Sequence, residues 1–82
     1  MSVYVDKARN RFGRMIMCHM FADTIDELHE MAQIIGMKKE WYQSKSTPHY
    51  DVSLSRKRLA LQVGAIEIDA RKVVEIIRKY RR

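Results

Sequence analysis

Between residues 41 and 58 the chain gathers side chains suited to holding an anion. His49-Tyr50-Asp51 is followed by Ser53, Ser55 and three consecutive cations, Arg56, Lys57 and Arg58. An aspartate and two serines at this spacing read as a helix start, where the peptide dipole is positive and repels the cations that follow. A bound oxyanion removes that repulsion. The helix-start amides, the hydroxyls of Ser53 and Ser55 and the charges of Arg56 and Lys57 together make an oxyanion cradle. Upstream, Trp41 and Tyr50 offer ring faces for a planar group, while Gln43, His49 and Asp51 offer directional hydrogen bonds. The candidate ligand contacts are therefore Trp41, Gln43, His49, Tyr50, Asp51, Ser53, Ser55, Arg56 and Lys57. An ordinary structural reading stands beside this one. Arg and Lys are good helix formers, an exposed first-turn cation costs only about 0.3–1 kcal/mol, and Asp51 or Glu67 can neutralise one of them. No glycine-rich phosphate loop accompanies the stretch.

His19, His29 and His49, with Asp6, Asp51 and Asp69 as carboxylate partners, raise a metal or acid–base reading. Spacing does not carry it. No two histidines stand at helical i, i+4 spacing and there is no CxxC, so a metal site has to be assembled from three separate elements. Hydrogen-bonded structural histidines are expected, with no metal and no cofactor. Cys18 and His19 are adjacent, but consecutive strand residues point to opposite faces, so a buried, inert thiol is expected.

These residues must be positioned by a short chain. Its 82 residues, read as one α/β domain over 1–82, bury a smaller fraction of their surface than a large protein does. Sixteen Lys and Arg against ten Asp and Glu give a formal charge of +6, which favours polyanionic partners. The lone cysteine forms no internal disulfide and no apolar run is long enough to cross a bilayer, so a cytoplasmic protein without a membrane partner is expected. A chain this short often completes its core or its site across a symmetric interface, which makes a homo-oligomer an open expectation.

SVYVD reads as a strand ending at Asp6, KARNRFGR (7–14) as a loop, and MIMCHMFA (15–22) as a strand covered on both faces. Thr24 and Glu27 have capping-box spacing, Ile25, Leu28, Ala32 and Ile35 trace one helical face, and Gly36 suits the left-handed position that ends a helix. EWYQ (40–43) reads as a third strand and SKSTPH (44–49) as a loop. Asp51 or Ser53 then caps a second helix that carries Leu54, Leu61 and Val63 and closes at Gly64. AIEID is a fourth strand, and Asp69 caps a third helix with Val73, Ile76, Ile77 and Tyr80 on one face and Arg78, Lys79, Arg81 and Arg82 at its C-terminal end.

The order β-β-α-β-α-β-α predicts a small mixed, largely parallel four-stranded sheet with three helices. Eight residues between strands one and two are too few for a parallel crossover, so that pair is antiparallel. In such a sheet ligands gather beyond the carboxyl ends of the strands, which brings Asp23, residues 43 to 51, residues 53 to 58 and Asp69 to one edge.

VYVD at 3–6, GRM at 13–15, CHM at 18–20, AD at 22–23, ELH at 27–29, IG at 35–36, WYQ at 41–43, HYD at 49–51 and GA at 64–65 occur in an order and spacing that resembles the domain of unknown function 4031 family. These are small proteins of bacteria and their phages, and the resemblance covers nearly the whole chain. It implies the domain boundary and a bacterial or phage origin, and it transfers no reaction. The functional expectation is a protein that binds an anionic, phosphate-bearing small molecule, a nucleotide signal sequestered by a phage protein being one form of it. Two rivals stand against it. One is a nucleic-acid-binding protein using Lys7, Arg9, Arg11, Arg14 and the basic tail, with steep loss of affinity in salt. The other is a small hydrolase using His19 or His49 with Asp6, Asp51 or Asp69.

Overall fold

Met15–Ala22 is the strand around which the molecule is built. In the computed structural model, which describes residues 2–44 and 47–80, this strand (β3) pairs antiparallel with three others: β1 (Val3–Asp6), β2 (Asn10–Phe12) and β4 (Tyr50–Ser53). A fifth strand, β5 (Ile66–Ile68), runs parallel to β1 on its far side. Met17 is partnered by both Asn10 and Ser53, and Met20 by both Val5 and Tyr50. Because a strand has two edges, β4 lies along one edge of β3 while β1 and β2 share the other. Three helices complete the fold: α1 (Ile25–Ile34), α2 (Leu54–Gln62) and α3 (Ala70–Tyr80).

The sheet is thus mixed, as expected, but five-stranded and mostly antiparallel rather than four-stranded and largely parallel. The register shows why. The helix-linked strands β4 and β5 do run in the direction of β1, yet β3 is inserted antiparallel between β4 and β1, leaving β1–β5 as the one parallel pair of the described strands. Two element assignments also change. The stretch 7–14 is not all loop: Asn10–Phe12 continues the edge begun by β1 and turns back at Gly13, whose φ of +61° suits a residue without a side chain. Residues 40–43 are not a strand. Lys39–Trp41 closes a 3-10 turn in which Trp41 N–H donates to Lys38 O, and only Gln43 reaches a single bridge, to His49. The strand lies instead at 50–53, inside the segment read as a helix start.

Local signals place the helices as the sequence indicates. Thr24 caps α1, accepting Glu27 N–H at 3.2 Å while its hydroxyl donates to the Glu27 carboxylate at 2.8 Å. Gly36, at φ +80°, lets Met37 N–H return to Ala32 O at 2.8 Å and end the helix. Ser53 caps α2 and Asp69 caps α3, through Arg56 N–H at 3.3 Å and Lys72 N–H at 3.0 Å. The basic tail falls partly outside the described residues, at Arg81 and Arg82, as do Lys45 and Ser46 of the 44–49 loop. Among the described residues no helix is long and apolar enough to cross a membrane.

Side chains alternate across β3 and sort into two layers. Cys18, Met20 and Ala22, with Val5, Tyr50 and Val52 from the flanking strands, are buried with Leu28, Met31 and Ala32 of α1 and Ala60 of α2. On the other face Phe21 packs with Ile68, Ile76, Tyr4, Val73 and Tyr80 beneath α3. That helix covers only one end of the face. Met15 and Phe12 remain open at the other, 44% and 74% exposed, so β3 is not covered on both sides throughout as its apolar composition suggests.

Candidate functional site

Where α3 stops, polar side chains cross the open face from strand to strand. His19 on β3 is the direct partner of Asp51 on β4, and directly partnered residues point to the same face. On the opposite edge, Asp6 follows Val5, the partner of Met20, and so comes level with His19. The Asp6 carboxylate interrupts the ladder there. Its Oδ1 accepts the backbone N–H groups of His19 at 2.9 Å and Ala8 at 3.2 Å, and its Oδ2 lies 2.7 Å from His19 Nδ1. Beyond this point the register shifts by two: Asn10 faces Met17, where the β1 register would set it opposite Met15. A buried carboxylate that takes backbone donors therefore also fixes an imidazole.

Asp51 is held in the same manner. Gln43, bridged to His49 through the backbone, donates its side-chain amide to Asp51 Oδ2 at 2.6 Å. His49 Nδ1 lies 2.8 Å from Thr47 O, an atom that can only accept, so the proton of that bond sits on Nδ1. An ionised Asp6 likewise only accepts, which puts the bonding proton of His19 on its Nδ1. Both rings then turn Nε2 toward Asp51 Oδ1, at 3.9 Å for His19 and 3.6 Å for His49, with ring centroids 5.6 Å apart. His19, His49 and Asp51 are part-exposed, while Asp6 is buried.

Two hollows meet over Asp51. The larger, about 390 Å³, is walled by Phe12, Met15, Met17, Met37 and Trp41, with Gln43, Asp51, Ser53 and Arg56 among its polar lining. A smaller one of about 200 Å³ shares Phe12, Met17 and Asp51 and adds Asn10, Arg11 and His19. Arg56 lies over the Trp41 indole at 5.6 Å and reaches toward Gly36 O at 3.4 Å, so its charge is held at the groove rim. Five of the nine candidate contacts, Trp41, Gln43, Asp51, Ser53 and Arg56, thus line one groove, and His49 stands behind Asp51.

The remaining three are engaged elsewhere. Tyr50 is fully buried on the opposite face, its hydroxyl 2.7 Å from His29 Nδ1, and burial raises its pKa; it cannot stack a ligand in this groove. Strand alternation is the reason, since it sends Tyr50 inward between His49 and Asp51. Lys57 is bonded to Glu67 at 2.8 Å, and this bond holds the Glu67 carboxyl below its usual range. The cation that looked misplaced in a helix start has its counterion there. Ser55 is bonded to Ser53 at 3.1 Å, and Ser53 is in turn committed to capping α2. The oxyanion cradle of Ser53, Ser55, Arg56 and Lys57 is therefore largely occupied by internal partners. Asp69 caps α3 and His29 sits across the sheet, so neither joins His19 and His49. Cys18 is buried, and desolvation pushes its thiol up to about 11.

Asn10, Arg11 and Phe12 are groove residues that the reading of 7–14 as a loop concealed, and Met15 and Met17 are groove residues that the reading of 15–22 as a strand covered on both faces concealed. Gly13-Arg14 between Phe12 and Met15 has the glycine-first form of a two-residue hairpin loop, the signal that locates Asn10–Phe12 beside β3. A family model described as Protein of unknown function (DUF4031) matches residues 3–80. No curated protein and no solved structure matches the chain.

Proposed function

Because the chain belongs to the DUF4031 family, whose description assigns no activity, its role has to be read from the groove, and we propose that it binds an anionic, phosphate-bearing small molecule with a planar group, a nucleotide in kind. One observation carries this reading. An apolar groove with a rim cation on Trp41 and a hydrogen-bonding floor of Gln43 and Asp51 continues past Phe12 and Met17 into a hollow beside Arg11. A planar ring lies against Phe12, Met15 and the Trp41 edge, with the Gln43 side-chain amide beside it. The phosphate extends toward Arg56 or Arg11. A binder of this kind acts on its ligand by sequestration.

Calorimetry with nucleoside mono- and diphosphates at two salt concentrations tests the reading. Saturable one-to-one binding that falls about tenfold in Arg56→Ala, as for loss of roughly 1.4 kcal/mol, is expected. A nucleic-acid-binding protein instead prefers oligonucleotides and loses affinity by orders of magnitude over the same salt change. The convergence of two imidazoles and a carboxylate beside the groove supports hydrolysis of the bound ligand as a second reading. Product analysis after prolonged incubation separates the two, since a binder returns its ligand intact.

A further inference from the structure

The floor of the smaller hollow carries a carboxylate where the phosphate of such a ligand would arrive. Asp51 Oδ1 faces His49 Nε2 at 3.6 Å and His19 Nε2 at 3.9 Å, both too long for hydrogen bonds. With the Nδ1 protons committed to Asp6 and Thr47, each neutral ring presents a lone pair at Nε2. Gln43 occupies the other oxygen of Asp51. Three electron-pair donors thus converge with no proton shared between them, and each is braced from behind. Metal-bound histidines are braced in this way, the far nitrogen donating to a carboxylate or backbone carbonyl that fixes ring orientation and raises ligand basicity.

We infer that His19 Nε2, His49 Nε2 and Asp51 Oδ1 form a binding site for a divalent first-row transition ion of the zinc class, with its remaining coordination positions open to the hollow. As the side chains stand, no three His, Cys, Asp or Glu among the described residues are drawn in closely enough to hold an ion. The adjustment required is small. Donors on a tetrahedral ion with bonds of about 2.0–2.2 Å lie roughly 3.4 Å apart, close to the 3.6 and 3.9 Å separations here. Two imidazoles on such an ion have centroids about 5 Å apart, against 5.6 Å between these rings, whose planes cross at 73°. Two nitrogens and one carboxylate suit zinc, manganese, cobalt or ferrous iron, and the buried Cys18 lies on the opposite face of the strand. The role of the open positions, accepting a phosphate oxygen and cancelling the charge of Asp51, rests on the nucleotide reading; binding of the ion itself does not.

The test uses the protein stripped of metal, with zinc(II) measured by calorimetry and cobalt(II) by its visible absorption, both without nucleotide. One ion per chain is expected. Asp51→Asn and His49→Gln each lower the affinity at least tenfold, Asp6→Asn lowers it about 10- to 100-fold through His19, and His29→Gln leaves it unchanged. Should His49→Gln fail to fold, as judged by circular dichroism, the isosteric and part-exposed Asp51→Asn decides. Absence of stoichiometric zinc or cobalt binding, or binding unaltered by Asp51→Asn, overturns the assignment. Zinc binding without nucleotide binding removes only the ligand reading, and nucleotide binding by a chain that takes up no metal removes only this one.

Discussion

Asp6→Asn changes one atom of the site and reverses the role of another. The wild-type carboxylate accepts His19 Nδ1–H at 2.7 Å through Oδ2, and the N–H groups of His19 and Ala8 through Oδ1. Asparagine keeps the shape, and its single carbonyl oxygen stays with the two backbone donors, because the opposite flip would aim an NH2 group at both. The NH2 then faces Nδ1, which must accept, and the ring proton moves to Nε2. A charged hydrogen bond worth about 1.5–3 kcal/mol is exchanged for a neutral one worth about 0.5–1.5, so the variant loses roughly 1–2 kcal/mol. For a domain of this size that is a fall of about 5–15 °C in Tm. Long-range 15N NMR of the imidazoles at pH 8 reads the tautomer directly. The expected result is Nδ1–H for His19 in the wild type and Nε2–H in the variant, with the fold retained. An Nε2–H tautomer in the wild type, or no change between the two, refutes the reasoning.

Arg56→Ala and Lys57→Ala separate the cation stacked on Trp41 from the one paired with Glu67. Nucleotide affinity falls about tenfold for the first, on the scale of 1.4 kcal/mol, and changes little for the second, whose charge is held by Glu67; equal losses in calorimetry would restore the serine–cation cradle. The Cys18 thiol, raised to about 11 by desolvation, resists a disulfide reagent in the native protein at pH 8 and reacts on unfolding. A raised thiol value stabilises the fold below the unfolded thiol range, so this contribution is lost as pH rises toward 11, and Cys18→Ala flattens the alkaline arm of a denaturation series. Asp23 has the opposite sign. Burial works to raise its pKa, but hydrogen bonds from Tyr4 O–H at 2.8 Å and Ser2 N–H at 2.8 Å outweigh it and hold the carboxyl below its ordinary value. The resulting stability is present above the ordinary carboxylate range and lost as pH falls through the lowered value. Urea midpoints that decline below about pH 4 in the wild type, and less so in Asp23→Asn, are expected.

The helices were legible because their signals are local. A capping box at Thr24 and Glu27, Gly36 at a left-handed position, a serine at 53 and an aspartate at 69 each act within one turn, and each does so in the structure. The sheet was less legible because pairing is non-local. HYDVS does alternate polar with apolar, the period that buries Tyr50 and Val52 while leaving His49 and Asp51 on the open face, but its serine and aspartate also fit a helix start, and nothing within it announces that it joins β3. The same gap hid the site. Asp6, His19 and Asp51 lie 13 and 32 positions apart in sequence order and become neighbours only once the register is known. Glu67, one of the two carboxylates that the sequence offered as a counterion for the cations at 56–58, does pair with Lys57, from β5.

Ligand binding in the groove over Asp51 is read residue by residue in a titration followed by 1H–15N correlation spectroscopy. Guanosine and adenosine monophosphates are added to the protein with and without zinc. Saturable shifts centred on the Trp41 indole, Phe12, Asp51 and Arg56 and fading along α3 are expected. Shifts spread over α3 and the basic hairpin without saturation, or shifts centred on the hollow beside Asp26, His29 and Glu30 on the opposite face, would contradict binding in this groove.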